Sequence, residues 1–261
     1  MDKYWVKNII FSSSATVYNI WGQKSLKRSE EDLFKVVNWD VLLKRWLKET
    51  DPTWNTTNPY WRTKYLLEEI LKDLAKFSWF NVVSLRYFNP IWAHPSWLIW
   101  EDPNWIPNNL LPYIMKVYTW ELDKLKIFGW DYPTKDGTWV RDYIDVIDLV
   151  KGHLKAWEYL RSEEVKEVGR EKRNQIKNWK FEVFNLWVGR GLSVLEMVKI
   201  VEEVWWKEIP YEIVGRRPWD LAEVYCDPTK ANEVLWWKAE TDEKESIRNM
   251  IRFYERREKS G

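Results

Sequence analysis

The chain has 261 residues, 45% of them hydrophobic, with 41 basic and 40 acidic side chains for a net charge of +1. That balance fits a globular protein and leaves no electrostatic case for nucleic acid or a membrane surface as partner; no apolar run approaches the ~20 residues of a spanning helix. A single cysteine, Cys226, excludes an internal disulfide and fits a reducing, cytoplasmic compartment. Two histidines, His94 and His153, argue against a histidine-built metal site, so no metal is expected. The first eight residues hold no apolar signal-peptide core. The length suits one large domain or one and a half smaller ones.

In chain order, residues 7–12 form a short apolar run that predicts a buried strand. Ser29-Glu30-Glu31-Asp32 resembles a capping box, and the spacing of residues 33–47 is near helical. Asn58-Pro59 precedes a second predicted helix over 60–76, with Leu66, Leu67, Ile70, Leu71 and Leu74 on one stripe. Residues 81–88 predict a strand, and a crossover of this length implies parallel pairing with the first. Residues 89–109 read as a long loop of the kind that carries function. Helices are predicted over 110–118, 148–161, 193–205, 228–235 and 243–257, and strands over 124–128, 140–146, 181–186 and 211–214. Residues 162–180 read as a charged excursion. The alternation is that of an α/β protein.

Two constellations carry chemistry. Tyr60 and Lys64 stand four apart at a helix start, which places them on one face, one turn apart. A free phenol has a pKa near ~10, and a neighbouring ammonium favours the phenolate, so the pair can act as an acid/base. Such a pair is common on ordinary helices and means little alone. Ser12, Ser13 and Ser14 form a hydroxyl run where a strand leaves the sheet, the edge at which open α/β sheets bind ligands. The plain alternative is that these serines satisfy loop backbone groups.

In combination, Ser-Ser-Ser-Ala-Thr-Val-Tyr (residues 12–18), Asn-Pro-Tyr-x-x-x-Lys (58–64) and Arg-Tyr-Phe-Asn-Pro (86–90) resemble the extended short-chain dehydrogenase/reductase family. Residues 93–96, 101–103, 106–110, 136–143 and 216–220 narrow the resemblance to that family's UDP-glucose 4-epimerase group, over residues 4 to about 240. The resemblance implies an NAD-dependent isomerase that moves a hydride between sugar C4 and the cofactor. It implies that Tyr60 is the base at the 4-hydroxyl, that Ser14 shares that proton, and that Lys64 lowers the Tyr60 pKa and holds the nicotinamide ribose. Ser12, Tyr87 and Pro90 then line the nicotinamide. Asn89, Asn108, Asn109, Leu110, Lys126, Phe128, Arg141, Arg217 and Asp220 line the UDP-sugar pocket, with Arg141 and Arg217 offering forked donors to the diphosphate. Val224 falls where a small residue admits N-acetylated sugars.

The implied architecture is a partial Rossmann-like parallel sheet flanked by helices, plus a smaller α/β substrate-binding domain. Residues 1–90 belong to the first, with an extra surface segment at about 20–55. Residues 91–261 belong mainly to the second, with crossings back near 141–200. A homodimer through helices including the Tyr-x-x-x-Lys helix is expected. Two rivals share the fold: a nucleotide-sugar 4,6-dehydratase, and an inactive fragment that retains only UDP-sugar binding. Ala15-Thr16 follows Ser14 where dehydratases place a carboxylate pair, which disfavours the first.

Three departures stand out. The family's glycine-rich dinucleotide fingerprint is absent from these residues, so Met1 reads as an internal start and tight NAD binding is not expected without a further half, supplied for example by a separate chain. Asp145 replaces a usual histidine. Finally, there are 22 Trp and only 9 Gly, where ordinary usage gives about 18 glycines. Trp92, Trp97, Trp100, Trp105, Trp120, Trp130, Trp139, Trp187, Trp206, Trp219 and Trp236, with Trp5 and Trp61, occupy glycine positions of relatives, whereas Trp157 and Trp237 match true tryptophans. A source that reads UGA as glycine would produce this pattern. As written, so many substitutions would threaten folding.

Overall fold

A computed structural model describes residues 6–18, 46–54, 58–78, 80–91, 93–103, 105–162, 180–217 and 222–260. Strands β1 (Asn8–Ser12), β3 (Asn81–Arg86) and β7 (Phe181–Asn185) form a parallel sheet in the order β1-β3-β7. The central strand carries Val82, Val83 and Leu85, all fully buried, because a parallel strand covered on both faces needs continuous apolar sequence. Helix α1 (Pro59–Phe77) packs Leu71 and Ala75 against Phe80 and Val82 on one face. Helix α3 (Val146–Arg161) packs Leu149, Ala156 and Leu160 against Val83, Leu85 and Phe184 on the other. Both starts follow from local chemistry: the Asn58 side chain accepts the Tyr60 N–H ahead of Pro59, and the Asp145 side chain accepts the Ile147 N–H. That cap is what Asp145 contributes here.

A second sheet runs β2 (Trp46–Leu47), β10 (Glu223–Cys226), β6 (Val140–Asp145), β4 (Asn89–Ile91), with β8 (Gly191–Ser193) antiparallel to β6. A third pairs β5 (Leu125–Phe128) with β9 (Tyr211–Val214) in parallel. Helices α2 (Leu110–Tyr118), α4 (Val194–Trp205) and α6 (Glu243–Ser260) enclose the core around Ile114, Met115, Val198, Met250 and Tyr143. Ser193 and Glu196 form a reciprocal capping box at the start of α4. Helix α5 (Thr229–Val234) is short and packs Ala231 against Phe184. The expected α/β class with parallel sheets flanked by helices is what the chain adopts.

Several expectations change. The leucine stripe of α1 is buried only in part: Leu66, Leu67 and Ile70 are exposed, while Leu71 is buried with Glu68 and Ala75, and Leu74 packs against the same core. Residues 46–47 are a strand, not a helix end. The preceding predicted helix lies outside the described residues, as do most of segments 20–55 and 162–180. Residues 46–54 are no surface addition, since Leu47 is in the core, the Glu49 carboxylate accepts the Asn185 N–H, and Thr53 bridges Tyr18. Their two-residue strand is too short to show a period. Strands β4 and β8, three residues each, were not anticipated for the same reason, and β10 was not anticipated either.

The four non-glycine residues with left-handed backbone among the described residues are all tryptophans: Trp97, Trp120, Trp206 and Trp236, with φ of 59°, 61°, 62° and 52°. A side chain there costs about 1–2 kcal/mol. Trp206 illustrates the position, capping α4 with its own N–H bonded to the Glu202 carbonyl while its ring is 90% exposed. That backbone is a glycine C-cap geometry. Trp100 and Trp187 lie outside that backbone region, and each donates its indole N–H, to the Tyr254 hydroxyl and the Arg86 carbonyl, as Trp97 does to the Asn249 side chain.

Candidate active site

The carboxyl end of β1 meets the first turns of α1. Lys64 Nζ donates to the Ser12 carbonyl at 2.8 Å and lies 5.6 Å from the centre of the Tyr60 ring. Tyr60 is 56% exposed, facing outward from the sheet edge. Ser12 Oγ is 2.9 Å from His153 Nε2, while His153 Nδ1 is 2.9 Å from the Leu149 carbonyl. A carbonyl only accepts, so Nδ1 carries the proton and Nε2 takes the Ser12 O–H. The Tyr87 ring packs edge-on against His153, with centroids 6.0 Å apart. Ser12, Tyr60, Lys64 and Tyr87 are thus gathered at one sheet edge, and Pro90 follows on β4.

Ser14 caps a short 3-10 turn at Ala15–Val17, its hydroxyl oxygen accepting from the Thr16 N–H at 3.3 Å and Oγ1 at 2.9 Å. Among the described residues no hydrogen bond joins it to the Tyr60 phenol; its own O–H is left to donate. The electrostatics of Tyr60 also differ from expectation. Burial, helped by the nearby Tyr87 phenol, pushes its pKa up, and Lys64 is not among the causes. The Lys64 ammonium donates to the Ser12 carbonyl, and partial burial lowers its own pKa.

Six of the predicted substrate residues, Asn108, Asn109, Leu110, Lys126, Phe128 and Arg217, line one small cleft between α2 and β5. The Arg217 guanidinium stacks 3.9 Å from the Phe128 ring centre. Trp139 also lines this cleft, and the Arg141 guanidinium lies 4.8 Å from its ring centre while donating to the Val140 carbonyl. Arg141 is therefore turned toward its own strand. Asn89 donates its amide to the Asp142 carbonyl, and Val224 is buried in β10 beside Ala15. Asp220 lies outside the described residues.

Sequence reasoning missed a buried polar cluster behind the serines. The Glu68 carboxylate accepts from Ser13, Ser84 and Arg86. The signal was present: Glu68 continues the four-residue spacing of Tyr60 and Lys64, and Ser84 and Arg86 are polar residues within a strand that also carries Val82, Val83 and Leu85. No group of metal-ligating side chains occurs among the described residues, and no helix among them is long and apolar enough to cross a membrane.

A parallel sheet with serines at a strand end and a Tyr-x-x-x-Lys helix beside them defines the short-chain dehydrogenase/reductase class. A family model described as GDP-mannose 4,6 dehydratase matches residues 42–250. The chain belongs to that extended short-chain dehydrogenase/reductase family. It is 44% identical over 246 residues to a UDP-glucose 4-epimerase of Bacillus subtilis, covering 92% of this chain and 60% of that protein. It is 42% identical over 241 residues to the UDP-glucose 4-epimerase of Homo sapiens, covering 92% and 59%. The chain thus spans about three fifths of the length of these relatives. Among solved structures, a UDP-glucose 4-epimerase from Stenotrophomonas maltophila, with bound NAD and formylated UDP-arabinopyranose, superposes with a TM-score of 0.81 at 34% identity, covering 100% of this chain and 67% of that one. One from Bifidobacterium longum, in complex with NAD+ and UDP, gives 0.78 at 38% identity, covering 98% and 66%.

Proposed function

We propose that this chain carries the catalytic and UDP-sugar-binding part of an NAD-dependent UDP-glucose 4-epimerase that interconverts UDP-glucose and UDP-galactose. The observation that carries the reading is the contact of Lys64 with the Ser12 carbonyl at the foot of an exposed phenol. It puts an acid/base pair at the carboxyl edge of the sheet, where open α/β sheets take their ligands.

Bound NAD would accept and return the C4 hydride. The residues fit its nicotinamide ribose: Lys64 and Tyr60 offer donors, and Ser12, Tyr87 and Pro90 frame a flat ring. Tyr60 removes the 4-hydroxyl proton and later returns it, and Ser14 donates to the same oxygen. With Tyr60 raised by burial, a bound cofactor's positive ring would supply a charge that favours the phenolate. In the cleft, Phe128 faces uracil and Arg217 the diphosphate, with Asn108, Asn109, Leu110 and Lys126 along the nucleotide. By the family resemblance, Asn89, Arg141 and Asp220 are the remaining candidates to hold the sugar and diphosphate, Arg141 after leaving the Val140 carbonyl. Val224 leaves room beside sugar C2, which favours acceptance of N-acetylated sugars.

Residues 1–90 then form the cofactor side and 91–261 mainly the sugar side. The glycine-rich pyrophosphate cradle must come from outside these residues, on the same polypeptide or a separate chain. A homodimer through α1 and α3 accounts for the exposed Leu66, Ile70 and Phe77 on one helix and Val150, Leu154 and Trp157 on the other. A cytoplasmic setting fits the single buried thiol, Cys226. A dehydratase would need an acid after Ser14; Thr16 there merely donates to the serine.

Calorimetry with UDP and a coupled galactose assay on the chain joined to its dinucleotide-binding half test the reading. UDP binding with epimerase turnover is expected. UDP binding without turnover would leave the fragment reading, and no UDP binding would remove both.

A further inference from the structure

The face of α1 that carries Tyr60 and Lys64 continues one turn further to Glu68. The three differ sharply in setting, since Tyr60 is exposed, Lys64 half-buried and Glu68 completely enclosed. Glu68 Oε1 accepts from Ser13 Oγ at 2.5 Å, Ser84 Oγ at 2.8 Å and Arg86 Nε at 3.0 Å. Oε2 accepts from Arg86 Nη2 at 2.5 Å. One carboxylate therefore joins three elements: α1, the loop after β1, and β3.

A buried ion pair is a poor stability device, because desolvation offsets its attraction and an apolar replacement is often as stable. What it offers is direction, since four donors converge only if their elements hold one register. The two contacts of α1 with the serine loop fall on successive residues. Lys64 reaches the Ser12 carbonyl, and Glu68, one turn later, takes the Ser13 hydroxyl. Two such points fix both the height and the rotation of the helix against the loop. Ser14 is the next residue along, and Arg86 immediately precedes Tyr87.

We propose that Glu68 is a positioning residue, a clamp that registers α1 against the ends of β1 and β3 and so sets Tyr60 and Lys64 against Ser14 and Tyr87. The inference rests on the epimerase reading for its catalytic consequence, though not for its geometry. Charge alone does not explain the cluster, because Ser13 and Ser84 contribute no charge and both hydroxyls aim at the oxygen already bonded to Arg86 Nε.

Ser13→Ala is the discriminating variant, since it removes one strut and leaves the Glu68–Arg86 pair intact. Hydrogen exchange on the full chain reads the loop through the Ala15 amide, which donates to the Tyr87 carbonyl at 3.1 Å. Exchange at Ala15 should accelerate by about tenfold or more, while the amides of the β3–β7 ladder keep their protection. In the chain joined to its dinucleotide-binding half, kcat should fall about tenfold with KM for UDP-glucose within about twofold, as expected for misplaced reacting groups. Ser13→Thr, which keeps the hydroxyl, should recover both.

Unchanged Ala15 exchange overturns the clamp. So does equal acceleration at Ala15 and in the ladder, which is general loosening, and so does a faster-exchanging loop with unaltered kcat. A parent enzyme without epimerase activity overturns the functional reading instead, and the exchange measurement still decides the clamp.

Discussion

The strand-end edge (residues 12–16, 60–68 and 84–87) and the cleft of Asn108, Lys126, Phe128 and Arg217 serve one proposed reaction but are built differently. At the edge, buried side chains hold one another: Ser13, Ser84 and Arg86 converge on Glu68, and Lys64 is bonded to Ser12. At the cleft, Arg217 and Lys126 are exposed, and Arg217 is held by its stack on Phe128. Proton transfer needs atoms placed to a fraction of an ångström, and that placement is built into the chain. Binding a flexible diphosphate needs charge and a stacking face, and the ligand supplies the final order. The regions also differ in their turns. All four tryptophans with left-handed backbone follow residue 91, in the half that holds the cleft.

The sharpest break in that contrast comes from two neighbours, Trp236 and Trp237. Trp237 is 3% exposed and donates its indole N–H to the Asp148 carbonyl, whereas Trp236 is 86% exposed at positive φ. Denaturant melts of Trp237→Ala should lose about 3–5 kcal/mol, while Trp236→Gly should gain about 1 kcal/mol. A loss in both would end the view that the outer turns are glycine turns. Mass spectrometry of the chain from its source should read glycine at 97, 120, 206 and 236 and tryptophan at 157 and 237.

Next in size, Tyr60→Phe in the completed enzyme should lower kcat by about a hundredfold or more and leave UDP affinity alone. A parallel fall in UDP affinity would merge the two regions into one. Arg217→Ala should weaken UDP binding by about tenfold in calorimetry, the worth of a stacked cation on a phosphate, with the Glu68 cluster untouched. An affinity equal to the parent's would remove the cleft from the site.

A separate effect concerns pH. Burial raises Asp142 to about 7, against three backbone N–H donors from residues 188–190. The folded chain then holds a proton that the unfolded chain releases near the ordinary carboxyl value. Its contribution is full below about pH 4 and is lost as pH rises to about 7, with a slope on the order of 1 kcal/mol per pH unit. Asp142→Asn should flatten that part of the stability profile, and an unchanged slope would assign it to other groups.

Much of the fold was legible because long elements have strong periods: α1, α3 and α4 each start at a side-chain cap visible in Asn58, Asp145 and Ser193. What escaped was set by neighbours rather than by local pattern. The face of α1 that turns inward is set by Glu68 meeting Arg86 as well as by Leu71 and Ala75, and Leu66, Leu67 and Ile70 of the same stripe stay outside. Strand β10 has only four residues and owes its place to β6 and β2. The motif residues were legible as a set, and six of the cleft residues do come together. The orientation of Lys64 depends on the Ser12 carbonyl, a backbone atom that no side-chain pattern records, whereas the turn-capping of Ser14 is the plain alternative raised for the serine run.

Strand β1 closes one side of its sheet, and among the described residues it pairs only with β3. Its outer row of amides and carbonyls is a ready template for another extended chain. Expressed by itself, the polypeptide should therefore be prone to clump through that row. Covering that row with a fused strand should raise its yield in the clarified fraction before any turnover is measured.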